Sequence, residues 1–520
     1  MDSLIGVAVN GVLAAIHPLP LALISLGVII GIIVGALPGL SALTAMAVLT
    51  PITFGMVPTN AVFFFMGIIV GGQFGNSLPA VLIGTPGTPA SIMSAVEGYE
   101  FQKRGEGGKA LGLSLVSSTV GQLLSGIGFV LLVIPLADFS VQFLFPEIFA
   151  LSVLGLTTAA TLAGRNPVKG IVAAAFGIAL TTIGPDPVTS RPRFSFGYLQ
   201  LEVGLDIVSM IVGILVVSEL IHAARQSFNW PAGQRATGRI LPTLAELKKA
   251  SGPMGLGTVI GFFIGALPGA GASVAHFVAY GQAKLFSRHP ERFGKGSMEG
   301  FVAGDAANNA SSGGELTPTL GLGIPGGPGM VLVLVVLLIH GITPGPGLLQ
   351  SAPGVLEATV GGLLVGTVAM FVFGYLSIRP AVYLFSVSRP AVYVGALVIS
   401  LIGIYSLRSS SFDVYVSLIA GTMGYFMRRY GYPVAPTALA LILGGLIEEN
   451  LRRGLVMTFG SFTVFFPRPV VVVILALSGV VLLQPAVTFY LRKRRRTTAP
   501  AAPHESIDVS ADHGIRRKQR

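Results

Sequence analysis

The spacing pattern G-x3-P-x4-G-x-P-G-x-P occurs twice in this chain and limits its fold more than any other feature. The first copy runs from Gly75 to Pro89 and the second from Gly314 to Pro328. The second copy lies in Gly304–Gly329, where eight of 26 residues are glycine and three are proline. Glycine and proline at this density oppose a continuous helix. We therefore expect each copy to interrupt the helix that enters it.

A second pair of segments shows that the whole region is duplicated. GIIVGALPG at Gly31–Gly39 recurs as GFFIGALPG at Gly261–Gly269, 230 residues later, whereas the glycine-proline patterns lie 239 residues apart. The difference of nine residues is most simply placed in Ser287–Ser297 of the second copy. We predict a first membrane repeat over residues 1–224, a linker over 225–249, a second repeat with C-terminal spans over 250–490, and a basic, disordered tail over 491–520.

Composition defines the class of protein. Hydrophobic residues make up 52% of the chain and charged residues 11%, with a mean hydropathy of +0.79, whereas soluble domains carry about 25% charge. The apolar runs are continuous, which excludes the alternation of a transmembrane β-barrel. We predict an all-α polytopic membrane protein with about 10–12 transmembrane helices, two inverted-topology repeats and broken or re-entrant helices. The absence of cysteine excludes disulfides and thiol chemistry.

The distribution of positive charge predicts how the repeats are oriented. Gly55–Asn60, before the first broken element, has no Lys or Arg, whereas Glu97–Lys109 after it is basic. In the second copy the basic segment, Lys284–Lys295, comes first, and Gly341–Leu356 has no Lys or Arg. Basic links are cytoplasmic, so the copies are predicted to be inverted, with the linker and the C-terminus also cytoplasmic. The net charge of +11 is explained in this way without a nucleic-acid partner.

A helix that begins at membrane depth has unpaired N–H groups and the positive end of its dipole at its first turn. Thr88 and Pro89 resemble an N-cap and a first-turn proline opening the helix that carries Ser91. Backbone donors and hydroxyls there suit a carboxylate, and inward carbonyls with Asn and Ser/Thr oxygens suit Na⁺. The predicted substrate-binding residues are Ser41, Asn76, Ser77, Thr85, Gly87, Thr88, Ser91, Ser273, Pro325, Gly326 and Gly327. The predicted ion-binding residues are Asn76, Asp305, Asn308, Asn309, Ser312 and Thr317.

Several residues admit a second interpretation. The glycines and prolines can serve close helix packing alone, although two copies at fixed spacing argue for a site. Asp305 and Glu315 are either ion or proton ligands or part of a wet approach to the loop. Interfacial or packing roles are favoured for Glu219, His222, His276, His340, Glu448 and Glu449.

Other motifs exclude some sources of energy and chemistry. Gly321–Gly326 fits G-x-G-x-x-G, but no strand precedes it, and the chain has no ATP-binding motif. No catalytic constellation or cofactor site is predicted, so the protein is not expected to be an enzyme. Transport driven by a Na⁺ or H⁺ gradient is favoured. A stand-alone ion channel or a Na⁺/H⁺-type exchanger with the same broken helices is the alternative, and an intramembrane enzyme is the weaker rival.

The motifs resemble those of a known family. The GALPG pair, Asn76 with Gly84–Pro89, and Ala306–Asn309 with Gly323–Pro328 are similar to the large membrane subunit of the tripartite tricarboxylate transporters, the TctA family. The resemblance implies a carrier of the bacterial inner membrane that works with a small four-span membrane subunit and a periplasmic solute-binding protein. It also implies uptake of citrate-like or other organic carboxylates, coupled to Na⁺ or H⁺.

Overall fold

The computed structural model describes residues 2–37, 40–140, 142–162, 166–225, 238–268, 271–345, 347–384, 389–457 and 459–498. The first-half helices are α1 Asp2–Ala15, α2 Pro18–Ala36, α3 Ala42–Thr53, α4 Pro58–Gly75, α5 Ser77–Ile83, α6 Ile92–Lys103, α7 Gly107–Ser140, α8 Phe145–Leu162, α9 Pro167–Thr181, α10 Leu199–Glu202, α11 Ile207–Val212 and α12 Ser218–Arg225. The second-half helices are α13 Leu244–Gly265, α14 Gly271–Phe286, α15 Met298–Leu322, α16 Pro328–Ile339, α17 Leu348–Ser351, α18 Pro353–Ile378, α19 Ala381–Leu384, α20 Arg389–Arg408, α21 Ser411–Arg429, α22 Ala435–Val456 and α23 Pro469–Thr498. The only strands in this part of the chain are β1 Gly184–Pro185 and β2 Pro192–Arg193, paired antiparallel with Gly184 opposite Arg193.

The fold is therefore the predicted all-α polytopic one. Among the described residues, four helical stretches are long and apolar enough to cross a membrane: Pro18–Ala36, Pro58–Ile83, Gly107–Phe139 and Pro353–Ile378. Shorter apolar helices include α3 and α16, which flank the interrupted elements. The expected number of crossings stays a prediction, because length and composition alone do not decide which short helices pair into one span.

The helix pair α2–α4 and the helix pair α13–α15 cross in the same way. A Cβ atom on Gly31 would lie 2.4 Å from the Ile68 carbonyl oxygen, and one on Gly261 would lie 2.4 Å from that of Ala307. The glycines are separated by the shorter repeat distance of 230 residues and the carbonyls by the longer one of 239. Only glycine permits such close backbone approach. The glycines thus allow α2 to pack closely on α4, and α13 to pack closely on α15, at matching positions of the two repeats.

The two repeats are interlocked rather than side by side. By the longer repeat distance, α7 of the first copy corresponds to α18 of the second. Helix α4 packs against α18, and α15 packs against α7. Likewise α3 contacts α16, while α14 contacts the 3₁₀ turn Pro89–Ser91 that precedes α6. Each interrupted element is therefore enclosed by helices of the other repeat.

One face of the molecule joins the two basic links. The Arg104 guanidinium donates to the Lys295 carbonyl, and buried Glu97 accepts from the backbone N–H groups of Gly294, Gly296 and Ser297 at 2.5–2.7 Å. Tyr280 Oη also donates to Glu97, at 2.7 Å. This carboxylate fastens the loop before α15 to the helix that leaves the first loop.

The two links without Lys or Arg meet in the same way. His340 Nε2 lies 3.0 Å from the Met56 carbonyl oxygen, and a Cβ on Gly354 would lie 3.5 Å from Thr59. Helices α4 and α15 therefore begin beside different pairs of links and run into the molecule from opposite sides. This is the relationship expected of inverted repeats. Which side is cytoplasmic remains a prediction.

Three boundaries differ from the predictions. Helix α15 continues through Pro318 to Leu322, so most of Gly304–Gly329 is helical. The non-helical part of this stretch is Gly323–Gly327. Packing of α15 against α7 and α13 outweighs the poor helix propensity of its glycines. At membrane depth a helix also satisfies the hydrogen bonds of the backbone N–H and C=O groups, because no water is present to do so.

The linker and the tail are shorter than expected. Helix α13 begins at Leu244, inside the predicted linker, because Thr243 and Glu246 form a capping box there. At the C-terminus α23 continues to Thr498, so disorder from residue 491 is wrong for 491–498. Residues 226–237 and 499–520 lie outside the described residues.

Candidate functional site

The two glycine-proline patterns form loops of the same shape. Gly84–Thr88 separates α5 from the turn before α6, and Gly323–Gly327 separates α15 from α16. Gly84 has φ 66° and Gly323 has φ 73°, the left-handed conformation that glycine adopts without a steric penalty. These glycines end the incoming helices.

The prolines of the pattern fix both ends of each loop. The carbonyls of Pro79 and Pro318 each accept from the residue after the left-handed glycine, at 3.2 Å. Pro89 and Pro328 then occupy the first helical positions after the loops, where the missing N–H costs nothing. The spacing in the sequence is thus explained position by position.

The central glycine of each loop lies against one residue of the incoming helix. A Cβ on Gly87 would lie 3.1 Å from Asn76 Oδ1, and one on Gly326 would lie 2.5 Å from Glu315 Cα. Asn76 and Glu315 are separated by 239 residues and are equivalent positions. The amide and the carboxylate therefore face corresponding loops.

The first loop carries polar atoms with no partner in the described part of the chain. Asn76 is 4% exposed, and its Oδ1 accepts no hydrogen bond. Thr88 takes the predicted N-cap position and faces Ser91 in a capping-box arrangement, although its Oγ1 has no hydrogen-bond partner among the described residues. The Thr88 N–H instead donates to Ser91 Oγ at 3.3 Å, and that hydroxyl lies 3.0 Å from the Thr88 carbonyl oxygen.

The second loop is closed by its own repeat. The Gly326 N–H donates to Thr319 Oγ1 at 3.0 Å, and the Glu315 carboxylate accepts from the Ala272 N–H, at the start of α14, at 3.1 Å. The position that matches Thr319 in the first repeat is Ala80, which has no hydroxyl to offer its loop. The polar groups of the second loop thus have hydrogen-bond partners within their own repeat, whereas the first loop lacks the equivalent hydroxyl.

Asp305 lies between the repeats. It is 1% exposed, and its carboxylate accepts from Ser77 Oγ at 3.4 Å and from Ser94 Oγ. Ser77 belongs to α5 and Ser94 to α6, the helices on either side of the first loop. The carboxylate of the second repeat is therefore held by neutral hydroxyls of the first.

Two amides follow Asp305 along α15. Asn309 Nδ2 donates to Ser118 Oγ at 2.8 Å and to the Asp305 carbonyl at 3.0 Å. Asn308 Nδ2 donates to the Gln73 carbonyl at 3.4 Å. Within the described residues, both Oδ1 atoms lack a hydrogen-bond partner. Each amide is oriented by its nitrogen and keeps a free oxygen, the ligand type that Na⁺ uses.

The remaining predicted site residues fall into two groups. Ser312 accepts from Gln73 Nε2 at 3.3 Å, close to the amides, whereas Thr317 Oγ1 donates along its own helix to the Gly313 carbonyl at 3.0 Å. The others lie at the two loops and at the starts of α3 and α14. Ser41 accepts from the Thr44 N–H at 3.4 Å, and Thr85 Oγ1 lies 3.5 Å from the Ile83 carbonyl oxygen. Ser273 is half-buried on α14, and Pro325 and Gly327 are buried in the second loop.

Sequence reasoning missed Gln73, Ser94 and Ser118. Gln73 and Ser94 are single polar residues beside apolar sequence, and Ser118 lies in the short polar run Ser117–Thr119. None of the three belongs to the glycine-proline pattern. Gln73 had a usable signal, since it matches Ser312 at the repeat distance of 239 residues.

Charged residues at the helix ends are accounted for by ion pairs. Glu448 pairs with Arg193 at 2.5 Å and Arg452 at 3.1 Å, and Glu219 pairs with Arg428 at 2.6 Å.

In the part of the chain that the structure describes, no group of three or more His, Asp or Glu residues is arranged to hold a metal ion.

A cavity of about 700 Å³ lies behind the second loop. Leu322 and Gly323 form one wall, Gly341–Pro344 another, and Glu449 and Asn450 line its polar side. It approaches the loop from the side of the links without Lys or Arg.

Interrupted helices of two inverted repeats, meeting around buried polar side chains, are features of membrane transporters. The sequence matches the family described as "Tripartite tricarboxylate transporter TctA family" over residues 21–439. The chain belongs to this family, whose members are tricarboxylate transporter subunits.

Two curated relatives come from Agrobacterium vitis. An uncharacterized 52.8 kDa protein in the TAR-I ttuC′ 3′ region is 33% identical over 462 residues, 89% of this chain and 92% of that protein. An uncharacterized protein in the TAR-II ttuC′ 3′ region is 33% identical over 235 residues, 45% of this chain and 97% of that protein. No solved structure matches the chain.

Proposed function

We propose that this chain is the large transmembrane subunit of a tripartite, ion-gradient-driven transporter that imports tricarboxylates or related organic carboxylates across the bacterial inner membrane. A small four-span membrane subunit and a periplasmic solute-binding protein are its proposed partners. Membership of the family supports the substrate class. The observation that carries the proposal is the first loop, where the Thr88 hydroxyl, which can donate a hydrogen bond, has no partner among the described residues and lies beside the start of a helix.

The substrate is recognised without a fixed cation in this loop. Gly84–Thr88 contains no Lys or Arg, so a carboxylate is held by two kinds of donor, backbone N–H groups and the Thr88 hydroxyl. Asn76 Oδ1 is an acceptor and forms no hydrogen bond with it. Hydrogen bonds to a charged acceptor are roughly twice as strong as neutral ones. Such a site binds an anion firmly enough for selection and weakly enough for release.

The coupling ion is taken up beside Asp305. An isolated carboxylate at membrane depth is costly, and the groups donating to this one, Ser77 and Ser94, are neutral. A proton or a Na⁺ ion removes that cost. Asn308 and Asn309 supply further oxygens on the same helix. Because Ser77 and Ser94 flank the first loop, ion binding at Asp305 is coupled to the loop's position.

The transporter proposal is tested against the channel alternative in proteoliposomes. Purified chain with its small membrane subunit is reconstituted, and uptake of radiolabelled citrate and of a C4 dicarboxylate is measured with and without the solute-binding protein outside. Na⁺ and pH gradients are imposed separately. Accumulation that requires the binding protein and one of the gradients is expected. Ion currents without carboxylate uptake would favour a channel or exchanger.

A further inference from the structure

The second repeat contains a carboxylate of its own at the position corresponding to the proposed substrate site. The Glu315 carboxylate accepts from the Ala272 N–H at 3.1 Å, in the first turn of α14, a helix of 16 residues. A Cβ on Gly327 would lie 2.6 Å from Glu315 Oε2. The carboxylate is therefore held between a helix start and the second loop.

The first repeat has the same surroundings without the carboxylate. Asn76 replaces Glu315, and Ala42, in the first turn of the 12-residue helix α3, replaces Ala272. A Cβ on Gly72 would lie 2.5 Å from Ala42 Cβ, so α3 starts against the helical turn that precedes Asn76. The buried, unpartnered Asn76 Oδ1 faces Gly87 of the loop.

The facing residues differ in a complementary way. Where the helix carries the long Glu315, the loop has Gly327, because a side chain there would collide with the carboxylate. Where the helix carries the shorter Asn76, the loop has Thr88, whose Oγ1 has no partner among the described residues. The first repeat thus has an amide and a hydroxyl where the second has a carboxyl group.

The loops also differ in access. Every residue of Gly323–Gly327 is buried, whereas Gly84–Thr88 is half-buried and the following Pro89 is exposed. The first loop is therefore more exposed than the second.

We infer that Glu315 is a built-in occupant: in the second repeat its carboxylate takes the place that a carboxylate of the transported substrate takes in the first. The chain then has one substrate site, bounded by the first turn of α3, Asn76 and the first loop. The site binds one carboxylate group of an organic acid. This inference rests on the proposed function and assigns the location at which that function is performed.

The test converts the first site into a copy of the second. Asn76→Glu alone would crowd Thr88, so the variant is Asn76→Glu with Thr88→Gly in the full-length chain. Its matched control is Asn76→Gln with Thr88→Gly, which has the same shape without the charge. Binding of citrate and of a C4 dicarboxylate to purified protein in nanodiscs is measured by calorimetry, and thermal unfolding is followed without ligand.

The Glu variant is expected to bind at least about 100-fold more weakly than the Gln control, because two like charges in one site repel each other. It should also unfold at a higher temperature without ligand, since its carboxylate caps α3 as Glu315 caps α14. Equal affinity, or equal unfolding temperature, in the two variants would overturn the inference while leaving the transporter proposal intact. Failure of the wild-type chain to bind either acid, with or without its partner proteins, would overturn both.

Discussion

Gln73 Nε2 donates to Ser312 Oγ at 3.3 Å, and these two residues are equivalent positions of the two repeats. A contact between equivalent positions lies on the pseudo-twofold axis that relates the copies. The bonded residues differ in type, and so do their neighbours: Asp305 and Asn309 match Met66 and Val70 of the first repeat. The duplication kept the backbone plan, whereas the Asp305 carboxylate and the Asn309 amide occur in the second copy alone.

The axial contact predicts a cross-link. In the chain, which has no native cysteine, Gln73→Cys with Ser312→Cys should react with a short thiol-specific cross-linker. A protease site placed in residues 226–237 then separates the halves, and linked halves migrate together on a gel. The control is Gln73→Cys with Glu299→Cys, 13 residues earlier on α15 and about 20 Å away along the helix. Equal linkage in both pairs would contradict the axial placement.

The positions of the links predict membrane sidedness. Lys103→Cys, on the basic face, should react with an impermeant thiol reagent only after the cells are permeabilised. Gly55→Cys should react in intact cells, and the substitution is tolerated because a Cβ there meets nothing within 4 Å. Labelling of Lys103→Cys in intact cells would refute the predicted orientation, and labelling of both residues from one side would refute the inversion.

Equivalent loops predict different effects of removing a hydroxyl. Thr88→Val should weaken carboxylate binding by about 10- to 100-fold, because a hydrogen bond to a charged ligand is lost. The thermal stability of this variant should be unchanged, since Thr88 Oγ1 has no partner in the described structure. Affinity is measured by calorimetry and stability by thermal unfolding.

Thr319→Val is the matched control for Thr88→Val. It removes the acceptor of the Gly326 N–H and should lower the free energy of unfolding by about 1–3 kcal/mol. If Thr88→Val loses stability and Thr319→Val loses affinity, the roles assigned to the two loops are reversed.

Asp305 predicts the loss of ion coupling. Asp305→Asn keeps the shape but removes the charge that attracts a proton or Na⁺. In proteoliposomes this variant should equilibrate substrate without accumulating it against a gradient. Gradient-driven accumulation by the variant would exclude Asp305 as the coupling site, and Glu315→Gln should keep coupling because its carboxylate caps α14 instead.

Asn308→Ala and Asn309→Ala distinguish the two ions at that site. If Na⁺ is bound, at least one should raise the Na⁺ concentration for half-maximal uptake by about one to two decades, the effect of a lost buried oxygen ligand. Dependence on the pH gradient alone, unchanged in both variants, would end the sodium assignment.

Glu97 predicts a change in loop dynamics. Glu97→Gln replaces one acceptor oxygen by an amide that faces N–H or O–H donors of Tyr280 and residues 294–297. A buried mismatch of this kind costs about 1–3 kcal/mol. Faster amide hydrogen exchange in residues 290–297 is expected, with exchange in Gly341–Leu356 as the internal control. Unchanged exchange in residues 290–297 would show that the loop is held by other contacts.

The repeat made much of the fold predictable from the sequence. The left-handed Gly84, the first-turn Pro89 and the close approach at Gly31 are backbone requirements that few residue types meet, so they leave a visible pattern. The continuity of α15 through Pro318 was not predictable from local propensity, because it depends on packing against α7 and α13.

The site was less predictable than the fold. Ser94 and Ser118 contact Asp305 and Asn309 across long sequence separations, and nothing local distinguishes them from serines bonded along their own helices. The pairing of Asn76 with Glu315 as equivalents was available from the repeat distance, but its chemical meaning depends on the contacts of Ala272 and Gly327.

Interlocking of the repeats has a consequence for biosynthesis. The ribosome completes α4 and α7 long before α18 and α15, the helices that cover them, have been made. The first half of the chain must therefore wait in the membrane with its close-packing faces open to lipid or to insertion chaperones. Maturation is complete only when the last-made helices close around the first, so truncation within the second half should yield a product that quality-control proteases remove.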